Sequence, residues 1–391
     1  MSSLESELEM LLSESVEHAR KRSHETFGEM MTSVGGRVVL FGAGNMGRQV
    51  LTRLRQEGIE PLAFADNSKA NWGRVLNEVQ VLSPEAAVAK YGRDALFIVT
   101  ICNRDHDFRE TRAQLKAMGS LQVESVIPLR WRYHETFLPF YHDDLPHKVL
   151  EQSVQIREAM GVWSDEVSRR EFVAQIRWRL LGDFSGLGAP SQGCQYFPPG
   201  LFRLMPKESF VDVGAYNGDT IRDYLQICGG SFGEILALEP DPENYKQLDR
   251  FIRDLPAGIA GRIDAKPVAA GNSNGNLRFQ SGCGEGSLLH PNGGVDVRCV
   301  RLDDFLGSRA PTYIKMDIEG AELDALDGAK ISLRQHTPLV AACAYHTQDH
   351  LWRLPLTLRK VSPTYSLFLR SHRYECWDTV CYAVPSSRLI T

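Results

Sequence analysis

The 391-residue sequence lacks several features that would place it quickly. It has no strong basic excess: the formal charge is −5, which leaves no footprint for a polyanion and makes nucleic acid an unexpected partner. It has no long apolar run. The best, Pro338-Leu-Val-Ala-Ala-Cys-Ala-Tyr345, is far too short to cross a bilayer, so no membrane span is expected. Its eight cysteines include no C-x-x-C pair and no His/Cys cluster at zinc spacing, so reduced thiols and a cytoplasmic location are expected. The N-terminus is acidic and without a continuous apolar core, unlike a signal peptide. No repeats or low-complexity tracts occur. At 43% hydrophobic and 24% charged, the composition is that of a globular protein with room for two domains.

What is present is a series of buried strands alternating with helices. Residues 4–30 carry Leu4, Leu8, Leu11, Leu12, Val16 and Ala19 on one helical face, which either packs on the body or pairs with a second chain as a homo-oligomer. Residues 1–35 are therefore read as an N-terminal helix. Residues 36–127 hold strands at Arg37–Phe41, Glu60–Asn67 and Ala95–Ile101, with helices following Gly47, Ser83 and Asp107. That alternation predicts a small Rossmann-like α/β domain with a parallel sheet covered on both faces. Residues 128–205, with Trp131, Trp163 and Trp178, read as a helical connector or cap. Residues 206–391 supply strands near Phe210–Val213, Ile235–Leu238, Ala265–Ala270, Tyr313–Ile318 and Leu339–Tyr345. A closing antiparallel pair follows at Tyr365–Arg370 and Thr379–Val384, and two short strands, Asn276–Gln280 and Val295–Val300, form an insertion. The expected fold is α/β: five parallel strands plus a terminal hairpin, preceded by the smaller Rossmann-like domain.

The most informative stretch is Phe210-Val-Asp-Val-Gly-Ala-Tyr-Asn-Gly-Asp-Thr220, answered by Ile235-Leu-Ala-Leu-Glu-Pro240. A strand, a glycine turn and a helix start bring a ligand against bare backbone at Gly214 and Gly218. Asp212 and Glu239 lie 239 − 212 = 27 residues apart, one strand–helix–strand unit, which places Glu239 to bind ribose hydroxyls. Asp212 would repel a pyrophosphate but suits a ligand bearing ammonium and sulfonium groups, as S-adenosylmethionine does. Turn or helix capping accounts for either acid without a ligand. Tyr216 and Tyr196 could present a π face to a sulfonium or simply pack.

Further along, Lys315, Asp317 and Glu319 alternate on one side of the fourth strand and its exit, where parallel sheets bind ligands. Lys315 and Glu322 read as an ion-pair network, and Asp317 as facing the transferring group. His346 follows the fifth strand beside the same crevice. A neutral imidazole there is the natural general base, unless it is bonded to neighbouring backbone. Asp317 takes that role if His346 does not. Ser287, in the insertion, either lines the substrate or cofactor edge or belongs to a glycine cluster that turn chemistry alone explains. Asp317, Glu319 and His346 have no secure metal-ligand spacing, so no metal requirement is expected. In the first domain Gly42, Gly44 and Gly47 could admit a pyrophosphate at a helix N-terminus and Asp66 a ribose, or the fold could serve packing alone.

Taken in order, Val211-Asp-Val-Gly-Ala-Tyr-Asn-Gly-Asp-Thr220, Ala237-Leu-Glu-Pro240, Leu302-Asp-Asp-Phe305, Tyr313-Ile-Lys-Met-Asp-Ile-Glu-Gly-Ala-Glu322, Tyr345-His346 and Thr379-Val-Cys-Tyr-Ala-Val-Pro385 resemble the FkbM-type methyltransferase family. The resemblance implies a class I methyltransferase sheet and methyl transfer from S-adenosylmethionine, usually to a hydroxyl of a sugar, glycan or polyketide. It extends cofactor contact to Asp219 and Pro240, which stand in the same motifs. Phe41-Gly-Ala-Gly-Asn-Met-Gly47, Phe64-Ala-Asp-Asn67 and Val81-Leu-Ser-Pro84 resemble nucleotide-sugar-binding modules, which adds Asn45 and Asn67 to that candidate site. An NAD-dependent oxidoreductase fits less well, because no Tyr-x-x-x-Lys pair follows and the second half would go unexplained. A non-catalytic cofactor-binding scaffold is the other alternative.

Overall fold

Strand Val38–Phe41 (β1) is buried along its whole length because its side chains enter two different cores. Val38 and Leu40 join Val50, Leu51, Leu54 and Phe64 on one face, while Val39 and Phe41 join Phe97, Val123, Trp131 and Trp178 on the other. Period-two alternation with both faces covered is the signature of a parallel sheet wrapped by helices. The computed structural model describes residues 3–280, 288–289 and 294–390.

The chain divides into two compact units. The first comprises residues 1–153, 173–189 and 373–377, and the second residues 154–172, 190–372 and 378–391. The segment 128–205, expected as one connector, is thus shared between them.

In the first unit, β1 is followed by Ala63–Ala65 (β2), Val75–Leu76 (β3), Val79–Leu82 (β4), Leu96–Val99 (β5) and Gln122–Ser125 (β6), in the order β3-β4-β2-β1-β5-β6. Only the β3–β4 pairing is antiparallel. Sequence reading missed β3, β4 and β6, which are short and only partly buried. The single N-terminal helix expected over 4–30 is two helices, Ser3–Leu11 and Val16–Ser33. The break falls where the Ser15 side chain accepts from the His18 N–H, an N-cap that outweighs continuity. Ala19, Ser23, Phe27 and Met31 line the buried face of the second helix, which packs on helices Ile127–Arg132 and Pro146–Glu151 of the same unit. That face is spent within the chain.

In the second unit the strands are Ser209–Val213 (β7), Glu234–Leu238 (β8), Ile263–Lys266 (β9), Val268–Ala270 (β10), Gly275–Gln280 (β11), Leu288–Leu289 (β12), Val295–Val300 (β13), Tyr313–Met316 (β14), Leu339–Cys343 (β15), Ser366–Ser371 (β16) and Thr379–Val384 (β17). Seven form one sheet in the order β16-β17-β15-β14-β7-β8-β9. β15, β14, β7, β8 and β9 are parallel, and β17 and β16 close the edge antiparallel. The strand expected as one piece over 265–270 is two, in different sheets. Pro267 separates them, since it offers no N–H to continue a ladder. β10 instead joins β13, β11 and β12 in a four-stranded sheet.

At the centre of the larger sheet Asp212 on β7 and Lys315 on β14 are register partners. Their charged atoms stand 3.0 Å apart, with both side chains essentially without solvent. Burial pushes the Asp212 carboxyl up to about 6, and Lys315 only partly offsets it. Burial also opposes the charge on Lys315, but Asp212, then Asp317 and Asp219, outweigh it and its pKa rises.

Two predictions follow from packing alone. A Cβ at Gly47 would collide with the Gly42 carbonyl oxygen, whereas one at Gly44 meets nothing within 4 Å. Gly47→Ala should therefore lower the calorimetric melting temperature by several degrees, on the order of 1–3 kcal/mol for overpacking, while Gly44→Ala leaves it nearly unchanged. Lys315→Met strands a buried carboxylate and should cost about 3–5 kcal/mol. Because the Asp212 pKa is raised, the stability it contributes is complete at low pH and lost as pH rises through about 6. The Lys315→Met deficit should consequently be larger at pH 8 than at pH 5, and adding Asp212→Asn should recover much of it.

Candidate functional site

The carboxyl ends of β8, β7, β14 and β15 open on one edge of the sheet, and the predicted residues gather there. After β7 the chain turns through Gly214 (φ 81°), Tyr216 (φ 47°) and Gly218 (φ 86°) into helix Asp219–Cys228. The protein itself requires both glycines. A Cβ on Gly214 would collide with the Asp317 carbonyl oxygen, and one on Gly218 would lie 2.5 Å from the Phe251 ring. They report tight packing beneath the turn, whatever lies above it.

Glu239, at the end of β8, is buried and oriented by backbone. Its two carboxylate oxygens accept from the Tyr216 N–H and the Asp241 N–H, each at 2.8 Å. A carboxylate has roughly four acceptor sites, so it still offers acceptors to a ligand. Burial pushes its pKa up to about 7, against the pull of those two N–H groups. Asp241 then caps helix Pro242–Arg253 through the Glu243 and Asn244 N–H groups. Pro240 joins the two acids and is partly buried. Asp219 is exposed in the first helical turn, where its carboxylate accepts from the Thr220 N–H at 2.7 Å.

Asp212 lies below the turn. Lys315 pairs with it, donates to the Gly214 carbonyl at 2.5 Å and sits 5.1 Å from the Tyr196 ring centroid. Tyr196 is buried, and its hydroxyl donates to Asp317 Oδ2 at 2.7 Å. Its ring thus faces the lysine and its hydroxyl the Asp317 carboxylate.

Past β14 and β15 the two exits converge. His346 Nδ1 stands 2.6 Å from Glu322 Oε1, which also accepts from the Ile318 N–H at 2.9 Å. His346 Nε2 faces Asp317 Oδ1 at 3.2 Å and Glu319 Oε1 at 3.6 Å. Glu319 has a left-handed backbone (φ 53°), followed by Gly320 at φ 103°, so the chain doubles back toward the imidazole. Burial disfavours charge on His346, but Glu322, then Asp317 and Glu319, outweigh it and raise the pKa well above the usual imidazole value. Burial likewise opposes ionisation of Asp317 and Glu322, yet His346 holds both below the ordinary carboxylate range. The carboxylates around His346 thus favour its charged form, against the neutral imidazole expected from sequence.

Sequence reading brought Asp212, Glu239, Asp317 and His346 to this crevice, and the structure assembles them. It also put Glu319 beside Asp317 at the exit of the fourth strand, but it missed His350, whose Nδ1 is 3.2 Å from Glu322 Oε2. Ser287 lies outside the described residues.

In the first unit Gly42, Gly44, Asn45, Asp66 and Asn67 line a cleft of about 510 Å³ together with Thr100. Gly47 instead packs against the Gly42 carbonyl. The Asp66 carboxylate accepts from the Ala43 and Ser68 N–H groups at 2.9 and 2.7 Å, and the Asn67 amide exchanges hydrogen bonds with Gln114. Asn45 opens helix Asn45–Gln56 at the mouth of the cleft. Among the described residues no helix is long and apolar enough to cross a membrane.

Comparison with known proteins agrees with this geometry. The chain is similar in structure to methyltransferase FkbM from Methylobacillus flagellatus KT, at 21% identity over 94% of this chain and 99% of that one, with a TM-score of 0.76. Weaker likenesses include the precorrin-6y C5,15-methyltransferase of Geobacter metallireducens GS-15, at 16% identity over 47% of this chain and 83% of that one (TM-score 0.29). Another is Aeropyrum pernix fibrillarin in complex with natively bound S-adenosyl-L-methionine, at 13% identity over 49% and 73% (TM-score 0.31). No curated protein matches the sequence at a significant level. Residues 212–374, which run from Asp212 through His346 and span most of the seven-stranded sheet with its crevice, match the methyltransferase FkbM domain.

Proposed function

We propose that the chain is an S-adenosylmethionine-dependent O-methyltransferase whose acceptor is a hydroxyl of a sugar, a glycan precursor or a related natural product. The observation that carries this reading is the pairing of two acidic centres across one crevice. Glu239 is buried and oriented by the turn after β7, and Asp317 with His346 lies at the exits of β14 and β15. Glu239 suits the two hydroxyls of a ribose, and the Asp212 side suits positive charge. S-adenosylmethionine, when bound, supplies an electrophilic methyl group.

The chain's own residues then have a proton to remove. A hydroxyl oxygen becomes strongly acidic as it bonds to carbon, so a weak base suffices if it is positioned. Asp317 fits that task better than His346. Its carboxylate is ionised, keeps partial solvent exposure and is steadied by the Tyr196 hydroxyl. His346, clamped by Glu322, is a positioning residue that aligns Asp317.

The cleft of the first unit supports a second binding role, toward a nucleotide-linked sugar. Gly44 is bare without being required by packing, as a site for close phosphate approach should be.

Calorimetric titration with S-adenosylhomocysteine tests the main reading. The wild-type chain should bind, and Glu239→Ala should weaken binding by roughly tenfold or more, two lost charge-assisted hydrogen bonds being worth at least that. Because burial lifts Glu239 to about 7 and the ribose hydroxyls donate to its ionised form, affinity should improve from pH 6 to pH 8 and then level off. Failure of the wild-type chain to bind at any pH in that range rejects the proposal.

A further inference from the structure

The geometry points to a divalent-cation site made by Asp317, Glu319 and His346, contrary to the absence of a metal requirement expected from sequence. One donor atom from each lies within 4.8 Å of the other two. His346 Nε2 is 3.2 Å from Asp317 Oδ1 and 3.6 Å from Glu319 Oε1. An ion with bonds of about 2.1 Å holds neighbouring donors about 3.0 Å apart and opposite donors about 4.2 Å apart. Both separations from Nε2 fall between those two values, within the range such a shell spans.

A second observation sets this apart from a chance group of acids. The imidazole is buried, and its far nitrogen is committed to Glu322, 2.6 Å away, which the Ile318 N–H in turn fixes. A carboxylate bonded to one ring nitrogen, with the other nitrogen aimed at further carboxylates, is the arrangement that orients a metal-ligating histidine. Crowding adds to the case. Asp317, Glu319 and Glu322 surround this one ring, while the nearby Lys315 is engaged by Asp212 and the Gly214 carbonyl. The position between Nε2 and the two exposed-side carboxylates takes either a proton or a cation.

One nitrogen and two carboxylates suit Mn²⁺ among the biologically common divalent ions, with water or a substrate oxygen completing its shell. The cation's role rests on the methyltransferase reading. It would bind the acceptor hydroxyl and make it more acidic, easing its deprotonation. Its binding does not depend on that reading.

The test is titration of the chelator-treated full chain with Mn²⁺, followed by electron paramagnetic resonance of the free ion and by spin-echo modulation of the bound ion. One Mn²⁺ should bind per chain, with nitrogen modulation from a coordinated imidazole in the unaltered protein. Glu319→Gln, at the open side of the cluster, should weaken binding by roughly tenfold or more. The positioning variant Glu322→Gln should do so by about 10- to 100-fold, whereas the exposed control Glu166→Gln leaves it unchanged. Absence of saturable binding overturns the site, as does binding that lacks nitrogen modulation and ignores Glu319→Gln. Titrating S-adenosylhomocysteine into the same sample separates the two readings. Its binding without any Mn²⁺ site rejects the cation and keeps the transferase, and Mn²⁺ binding without it does the reverse.

Discussion

A buried lysine beneath a glycine turn is the constraint from which the second unit's active crevice is built. Strand positions covered on both faces are normally aliphatic, and Lys315 occupies one between β7 and β15. Its ammonium meets the Asp212 carboxylate and the Gly214 carbonyl at once. The strand end, the turn and the neighbouring strand are therefore tied at a single charge. The fit is close enough that Gly214 has no room for a side chain, because the Asp317 backbone occupies the space. Displacing any one of these residues therefore disturbs the others, coupling the turn after β7 to the exit of β14.

The two units share a device and differ in one residue that sets their chemistry. In each, an acid at the end of the second strand accepts an N–H from the turn after the first, Ala43 to Asp66 and Tyr216 to Glu239. In each, the first glycine of the turn donates to the carbonyl before that acid, Gly42 to Ala65 and Gly214 to Leu238. Two residues before that glycine the first unit has Leu40, buried in an apolar core, where the second has Asp212. An aliphatic residue there leaves the helix N-terminus free to receive an anion. A carboxylate reverses the preference toward cations. The same strand–turn–helix device thus carries opposite electrostatic character in the two units.

The regular parts of this architecture were legible in the sequence because their causes are local. β7, β8, β14 and β15 are short, largely apolar runs, and the caps at Ser83 and Asp107 are short-range hydrogen bonds. Pro267 was equally visible, but its effect, moving β10 into a second sheet, depends on β13 being available as a partner. The raised pKa of His346 could not be read at all. It follows from three carboxylates 24 to 29 residues away in sequence, brought round by a left-handed residue at Glu319 that no propensity favours. Tyr196 shows the same limit: it precedes the sheet, yet its hydroxyl lands on Asp317.

The charge balance of the crevice ties these observations together. Asp212, Glu239, Asp317, Glu319 and Glu322 supply five carboxylates, and Lys315 and His346 supply two cations. Burial already forces part of the cost onto Asp212 and Glu239, whose pKa values climb toward neutrality. A site left with surplus negative charge in a poorly solvated place gains most from ligands that bring positive charge. A ligand bringing positive charge to the turn after β7 and a divalent ion on the His346 side would each satisfy a different part of that surplus. Because the Asp212–Lys315 pair lies between the two parts, the occupant of one side would be felt electrostatically by the other.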